Sequence, residues 1–189
     1  MKIAINAGHT ISGKGTGAVG YITESTETRR AVQALIPILK ARGIEVINAT
    51  VDKAASNTEY LQKAVKIAND AKADLFISIH FNAGGGNGCE CFTWRGNKVK
   101  QAQGICDELK ALGFRDRGVK DGSAFYVIKK TNMPAVLVET CFVDSRGDYE
   151  LYTKLGVERV ATAIADGITG KVCDDTKLLC KNCKKVLTT

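Results

Sequence analysis

Hydrophobic residues recur along the chain in two alternating patterns, which are short apolar runs and longer amphipathic stretches. The short runs predict buried strands at 2–6, 44–50, 74–81, 89–94, 124–128 and 135–139. The stretches with apolar residues every three or four positions predict helices at 24–42, 54–72, 98–112 and 148–168, the last one broken near Gly156. This alternation predicts a single α/β domain with a mostly parallel, twisted sheet flanked by helices on both faces.

Polar and glycine-rich segments connect these elements. Residues 8–17 and 82–88 are rich in glycine, which allows the backbone to approach a ligand closely, and 115–122 is predicted to be a polar turn. After Gly170 the periodicity stops, and the remaining residues are basic with three cysteines. We therefore expect a catalytic or binding domain over 1–170 and a C-terminal appendage over 171–189.

Composition restricts the class of protein. A chain of 189 residues that is 44% hydrophobic, with only 2 prolines, is typical of one globular domain and excludes disordered and fibrous proteins. The net charge of +7 favours an anionic partner such as nucleic acid, lipid or bacterial cell wall. An aromatic content of 6% provides no stacking platform for nucleic acid, so we expect none to bind.

Targeting and redox features give two further expectations. No apolar run reaches the roughly 18 residues of a membrane span, and the N-terminus lacks the apolar core of a secretion signal. We therefore expect synthesis in the cytoplasm without membrane insertion. Because the number of cysteines is odd, those in predicted strands and helices are interpreted as reduced thiols, mostly in the core: Cys89, Cys91, Cys106 and Cys141.

Three reactive side chains are predicted at one edge of the sheet. The chain has only two histidines; His9 follows the first strand and His80 ends the third. Glu139 ends the apolar run that begins at Pro134. Because ligands bind at the carboxyl ends of parallel strands, we expect these groups to meet there, although each alone could be an ordinary buried or paired residue.

Two imidazoles and one carboxylate are the ligand set of many catalytic zinc sites. Glu24 and Glu27 both lie at the start of the first predicted helix, and either could face this edge of the sheet. Acidic residues in a first helical turn also interact favourably with the helix dipole, so spacing alone does not choose between Glu24 and Glu27 as the third ligand. A carboxylate beside such a metal commonly moves protons, and this role suits Glu139.

Five segments together resemble the ordered motifs of a known family, the zinc-dependent N-acetylmuramoyl-L-alanine amidases of bacterial autolysins and phage endolysins. The resemblance covers about residues 1–170. The motifs are Ala7-Gly8-His9; Thr16 to Gly20 followed by Glu24; Phe76 to Ala83; Arg117 to Lys120; and Pro134 to Glu139.

The resemblance implies that His9, Glu24 and His80 bind one catalytic Zn²⁺ and that Glu139 is the catalytic acid and base. It selects Glu24 because the family's ligand lies about five turns before the glycine that ends the helix, here Gly43. The implied reaction is hydrolysis of the amide between N-acetylmuramic acid and L-alanine in peptidoglycan.

The resemblance also bears on the neighbours of the site. Asn82 and Lys120 are expected to bind substrate, and Lys14 and the turn at 115–117 could meet carboxylates of the stem peptide. The chain departs from the family at Ser25, where lysine is usual, and at Thr140, where glycine is usual. The second departure adjoins the catalytic carboxylate and could alter substrate fit or rate.

Two other functions compete with this interpretation. One is a nucleotide-binding enzyme, because the segment from Gly8 to Lys14 nearly matches the phosphate-binding loop G-x-x-x-x-G-K-[ST] of such proteins, but Gly15 replaces the hydroxyl residue that would hold Mg²⁺. A non-catalytic module that binds the cell wall through its charge is the other alternative. It predicts that replacing Glu139 leaves the function intact.

The remaining expectations concern partners and location. Cys180 and Cys183 have a metal-binding spacing and Cys173 adds a third thiol, but four ligands are needed. A partner chain could complete the set, the segment could be part of a longer binding domain, or the thiols could have no role. We expect a monomer, with association through this tail as an alternative, that acts on the cell wall after release from the cytoplasm.

Overall fold

Six strands form one sheet in the computed structural model, which describes residues 1–13 and 15–170. The strands are β1 (Lys2–Ala7), β2 (Glu45–Asn48), β3 (Leu75–Asn82), β4 (Cys89–Thr93), β5 (Asp116–Asp121) and β6 (Ala135–Phe142). Their order is β2-β1-β3-β6-β4-β5, and every neighbouring pair is parallel except β4 with β6. The α/β fold with a mostly parallel sheet is therefore confirmed.

Helices cover both faces of this sheet. They are α1 (Glu24–Ala41), α2 (Asn57–Asp70), α3 (Lys100–Ala111), α4 (Tyr126–Lys130), α5 (Arg146–Leu155) and α6 (Val157–Thr169). Strand side chains alternate between the faces, so Val136 and Val138 pack in the core with α1, α3 and α6. Ala135 and Leu137 pack on the opposite face with α2 and α4.

Two predicted elements are wrong. The segment predicted as a polar turn contains β5, which pairs with β4 at the edge of the sheet. An edge strand needs apolar residues on few positions, and β5 is half-buried along most of its length, so hydrophobicity does not reveal it. The strand predicted at 124–128 is instead the start of α4, whose Val127 and Ile128 are buried. A short apolar run is compatible with either structure, and here packing decides.

Some of the other expectations are confirmed, and the rest concern residues outside the described part of the chain. The thiols of Cys89, Cys91, Cys106 and Cys141 are buried and free. Among the described residues, none of the helices has both the length and the hydrophobicity that a membrane crossing requires. The predicted tail at 171–189, with its three cysteines, and Lys14 lie outside the described residues.

Candidate metal centre and active site

Two imidazoles and one carboxylate meet at the carboxyl ends of β1 and β3. His9 lies two residues beyond β1, His80 lies near the end of β3, and Glu24 is the first residue of α1. Glu24 Oε1 is 3.0 Å from His9 Nε2 and 3.1 Å from His80 Nδ1. One ligand atom from each residue lies within 4.8 Å of the others, so the three side chains can hold one metal ion.

The outer nitrogen of each imidazole faces a hydrogen-bond acceptor. His9 Nδ1 is 3.1 Å from the Gly15 carbonyl oxygen, and His80 Nε2 is 3.0 Å from Ser78 Oγ. When these nitrogens carry the proton, the inner nitrogens turn lone pairs towards the Glu24 carboxylate. In that tautomer two imidazole nitrogens and one carboxylate oxygen lie close enough to bind the same ion, so the donor set fits a divalent cation.

The backbone around His9 is strained and tightly packed. His9 has a φ of 66°, which is uncommon for a residue other than glycine. Arg29 stabilises this conformation by donating to the carbonyl oxygens of His9 at 2.9 Å and Gly8 at 3.3 Å. At Gly17 a Cβ atom would lie 2.6 Å from Glu24 Oε2, so only glycine fits against the ligand cluster.

Glu24 and Glu27 have different partners although both are buried at the start of α1. The second carboxylate oxygen of Glu24 accepts from the Ala18 backbone N–H at 2.9 Å. Burial would raise the pKa of Glu24, but hydrogen bonds with His80 and His9 outweigh it and hold the pKa well below its ordinary value. Glu27 instead bonds Arg30 and the Tyr152 hydroxyl. The geometry therefore favours Glu24 as the ligand.

Burial favours the uncharged form of the His80 imidazole. Loss of solvent lowers the pKa of His80, and the hydrogen bond and charge of Glu24 offset this only in part. The neutral imidazole, which is the form that binds metals, is thus favoured.

Glu139 lies beside the ligand cluster on the same face of the sheet. Its Cα is paired with that of His80 across β3 and β6, and paired residues project to the same side. Glu139 Oε2 is buried and has no hydrogen-bond partner among the described residues. Burial, with the charges of Glu24 and Glu90, raises the pKa of Glu139 to about 8. An unpartnered carboxyl group in this position is available to exchange protons with a ligand.

A cavity of about 480 Å³ opens over these groups. Its polar wall contains His9, Glu24, His80, Asn82 and Glu139. The opposite wall comes from α2 and α4 and is mostly apolar; it includes Tyr60, Leu61, Phe125, Tyr126 and Val127. The cavity can therefore hold a substrate with an apolar or flat surface on one side and a polar reacting group on the other.

Of the two predicted substrate-binding residues, one lines the cavity and the other lies on a strand outside it. Asn82 lines the cavity, whereas Lys120 lies on β5 outside it and binds the carboxylate of Glu90. Arg117 binds the same carboxylate, and Arg115 is an exposed side chain that contacts Asn87. Sequence reasoning missed Glu90, because an acidic residue within a predicted strand gave no signal of its charged partners 27 and 30 positions away.

Thr140, the departure next to Glu139, is buried and its hydroxyl has no partner among the described residues. The register between β3 and β6 shifts between the pairs His80–Glu139 and Asn82–Phe142, so Thr140 lies in a β-bulge directly after Glu139.

The nucleotide-binding alternative is not supported by the local structure. Within the described residues 15–23, no helix follows the glycine-rich loop directly, since α1 begins only at Glu24. The helix N-terminus that would face the phosphates is therefore missing from this position.

Comparison with known proteins identifies similar chains. Residues 3–170 match the model of a family described as N-acetylmuramoyl-L-alanine amidase. An uncharacterized protein of Clostridium perfringens is 38% identical over 183 residues, which are 93% of this chain and 53% of the relative. The N-acetylmuramoyl-L-alanine amidase CwlM of Bacillus licheniformis is 34% identical over 173 residues, covering 89% of this chain and 67% of the relative.

Solved structures agree with this result. The catalytic domain of CD27L, an endolysin described as targeting Clostridia Difficile, superimposes with a TM-score of 0.83 at 30% identity. The match covers 90% of this chain and 98% of that domain. The chain spans about half the length of the two Clostridium perfringens relatives, at 53% and 52%.

Proposed function

Because the chain belongs to the N-acetylmuramoyl-L-alanine amidase family, we propose that it hydrolyses the amide between N-acetylmuramic acid and L-alanine in peptidoglycan. The observation that carries the proposal is the convergence of His9, Glu24 and His80 next to the buried Glu139, at the floor of one cavity. In this proposal residues 1–170 are the catalytic unit and the cell wall is its site of action.

His9, Glu24 and His80 would hold one Zn²⁺. Bound there, zinc supplies a Lewis acid that polarises a carbonyl group and makes water a stronger acid. The Gly15 carbonyl oxygen and Ser78 Oγ would keep the two imidazoles in the orientation described above, and Arg29 would hold the backbone of His9.

Glu139 moves the proton in this reaction. Its carboxylate accepts a proton from the attacking water as the oxygen adds to the carbonyl carbon. The same group then donates that proton to the L-alanine nitrogen as the C–N bond breaks, so one residue acts first as base and then as acid. Asn82 would bind the substrate backbone, which is supported by its place in the cavity wall.

Digestion of purified cell walls tests the proposal. We expect the zinc-loaded protein to release new L-alanine amino termini and a chelator to abolish this activity. Glu139→Gln keeps the shape of the side chain but removes its proton transfer, so the rate should fall at least about 100-fold while zinc binding is retained. Activity that survives metal removal, or new reducing sugar ends instead of amino termini, would refute the assignment.

The same variant separates the enzyme from a non-catalytic wall-binding module. A binding module would retain its whole function when Glu139 is replaced, whereas the proposed amidase retains wall binding and loses hydrolysis. A co-sedimentation assay with intact walls measures the binding separately.

A further inference from the structure

The sheet carries a second buried carboxylate that the proposed reaction does not use. Glu90 on β4 is paired in antiparallel register with Glu139, so both side chains lie on the cavity face. Glu90 is only 3% exposed, and a charge at that depth needs compensation. Its partners are Asn82 Nδ2 at 2.7 Å, Arg117 Nε at 2.6 Å and Lys120 Nζ.

Two cations share this one carboxylate. The hydrogen bonds and charges of Lys120 and Arg117 outweigh the effect of burial and hold the pKa of Glu90 below its ordinary value. The three groups together carry one net positive charge. Arg117 binds Glu90 through Nε alone. Its two terminal nitrogens have no hydrogen-bond or ion-pair partner among the described residues. The cluster is therefore able to bind a further anion.

The orientation of Arg117 is fixed from two sides. Its guanidinium carbon lies 4.9 Å from the centre of the Phe142 ring, and its Nε is held by Glu90. The side chains of Arg117 and Lys120 remain 26% and 38% exposed. A fixed guanidinium with two unused nitrogens matches the two oxygens of a carboxylate.

The cluster lies within reach of a substrate bound in the cavity. Asn82 lines the cavity and also binds Glu90, so the polar surface is continuous between them. β5 is two strands away from β6, which is roughly 10 Å at the usual strand spacing. An extended peptide covers about 3.4 Å per residue, so this distance corresponds to about three residues from the reacting bond.

We propose that Arg117 and Lys120, with Glu90 as their positioning residue, form a subsite that binds a free carboxylate of the stem peptide. The proposal rests on the amidase function proposed above and adds a preference to it. A stem peptide whose carboxylate is replaced by a carboxamide loses the charge that this pair recognises, so the enzyme discriminates between the two peptides.

Paired synthetic muramoyl peptides test this subsite. Each pair consists of a peptide with a free carboxylate and the same peptide with a carboxamide at that position. A separate pair is made for every free carboxylate of the stem. For one position we expect kcat/KM to fall roughly tenfold to hundredfold on amidation, which is the range of a hydrogen-bonded charge. The loss should be in KM, with kcat little changed, because the subsite does not touch the reacting atoms.

Variants locate the preference in the cluster. Arg117→Met, Lys120→Met and Glu90→Gln should each reduce the discrimination while zinc affinity stays unchanged. Arg115→Met removes a neighbouring exposed arginine that does not bind Glu90, and it should leave the discrimination intact.

The outcomes distinguish this inference from the function on which it rests. Equal hydrolysis of both members of every pair by the unmodified protein would overturn the subsite and leave the amidase intact. Full discrimination in correctly folded Arg117→Met and Lys120→Met would also overturn it. Absence of hydrolysis of all the peptides by the zinc-loaded protein would refute the amidase function itself.

Discussion

Arg29 shows how a single residue outside the ligand set controls the metal site. It connects α1 to the backbone of Gly8 and His9, and its Nε binds Asp52 at 2.8 Å. The Arg29 side chain is only 12% exposed, so its hydrogen bonds to these carbonyl oxygens are largely shielded from solvent. The strained backbone of His9 therefore depends on this guanidinium.

We predict that Arg29→Met weakens zinc binding by about 10- to 100-fold, the usual cost of losing a group that orients a ligand. Competition with a chromophoric chelator measures the affinity. Arg30→Met is the matched control, because Arg30 is the next residue of α1 and binds Glu27 instead of the His9 loop. Equal zinc affinity in Arg29→Met and in the unchanged protein would contradict the role assigned to Arg29.

At the residue scale, residues that resemble a motif or end an apolar run can be proposed as site residues from the sequence. The positions of His9, His80 and Glu139 after predicted strands make them candidates, and in the structure all three line one cavity. Only the family resemblance favours Glu24 over Glu27 in the sequence, and their different partners in the structure support that choice. Glu90 escaped prediction because its role depends on contacts between distant segments.

At the scale of elements, prediction succeeded where burial is continuous. β1, β3 and β6 are central strands with nearly unbroken apolar runs, and these runs are visible in the sequence. β5 is an edge strand and α4 has only 5 residues, so in both segments the preference of the chain is weak and tertiary contacts decide. Lys120 and Arg117 lie on β5, so the wrong prediction for β5 concealed their position beside the site.

The contact between α3 and α6 gives a prediction at this scale. A Cβ atom on Gly167 would lie 2.4 Å from the Ile105 backbone nitrogen, and backbone atoms cannot move aside without separating the helices. Gly167→Ala should therefore reduce the free energy of unfolding by about 1–3 kcal/mol. Gly147→Ala is the matched control in α5, where no atom of the described part of the chain lies within 4 Å of the added atom.

In that control, alanine should raise stability by about 0.5 kcal/mol, because it restricts the unfolded chain more than glycine does. Urea denaturation measures both variants under the same conditions. A Gly167→Ala protein as stable as the unchanged one would show that the two helices are not in the close contact described.

At the scale of the whole molecule, the three candidate ligands connect separate parts of the chain. His9 follows β1, Glu24 begins α1 and His80 belongs to β3, so the ligand atoms come together only in the folded state. A metal ion that binds the folded state alone must stabilise the entire domain.

We therefore predict that zinc raises the thermal midpoint and that a chelator reverses the increase. At a free zinc concentration about 1,000 times Kd, the stabilisation should be about 4 kcal/mol. This corresponds to a shift of roughly 10 °C in a domain of this size.

Scanning calorimetry should show that Glu24→Gln loses most of this shift, because one of the three ligands is then neutral and a weaker donor. Glu27→Gln loses its ion pair with Arg30 and is less stable at all zinc concentrations, yet it should retain the shift, since Glu27 faces Tyr152 and not the histidines. Equal shifts in the two variants would exclude Glu24 as a ligand.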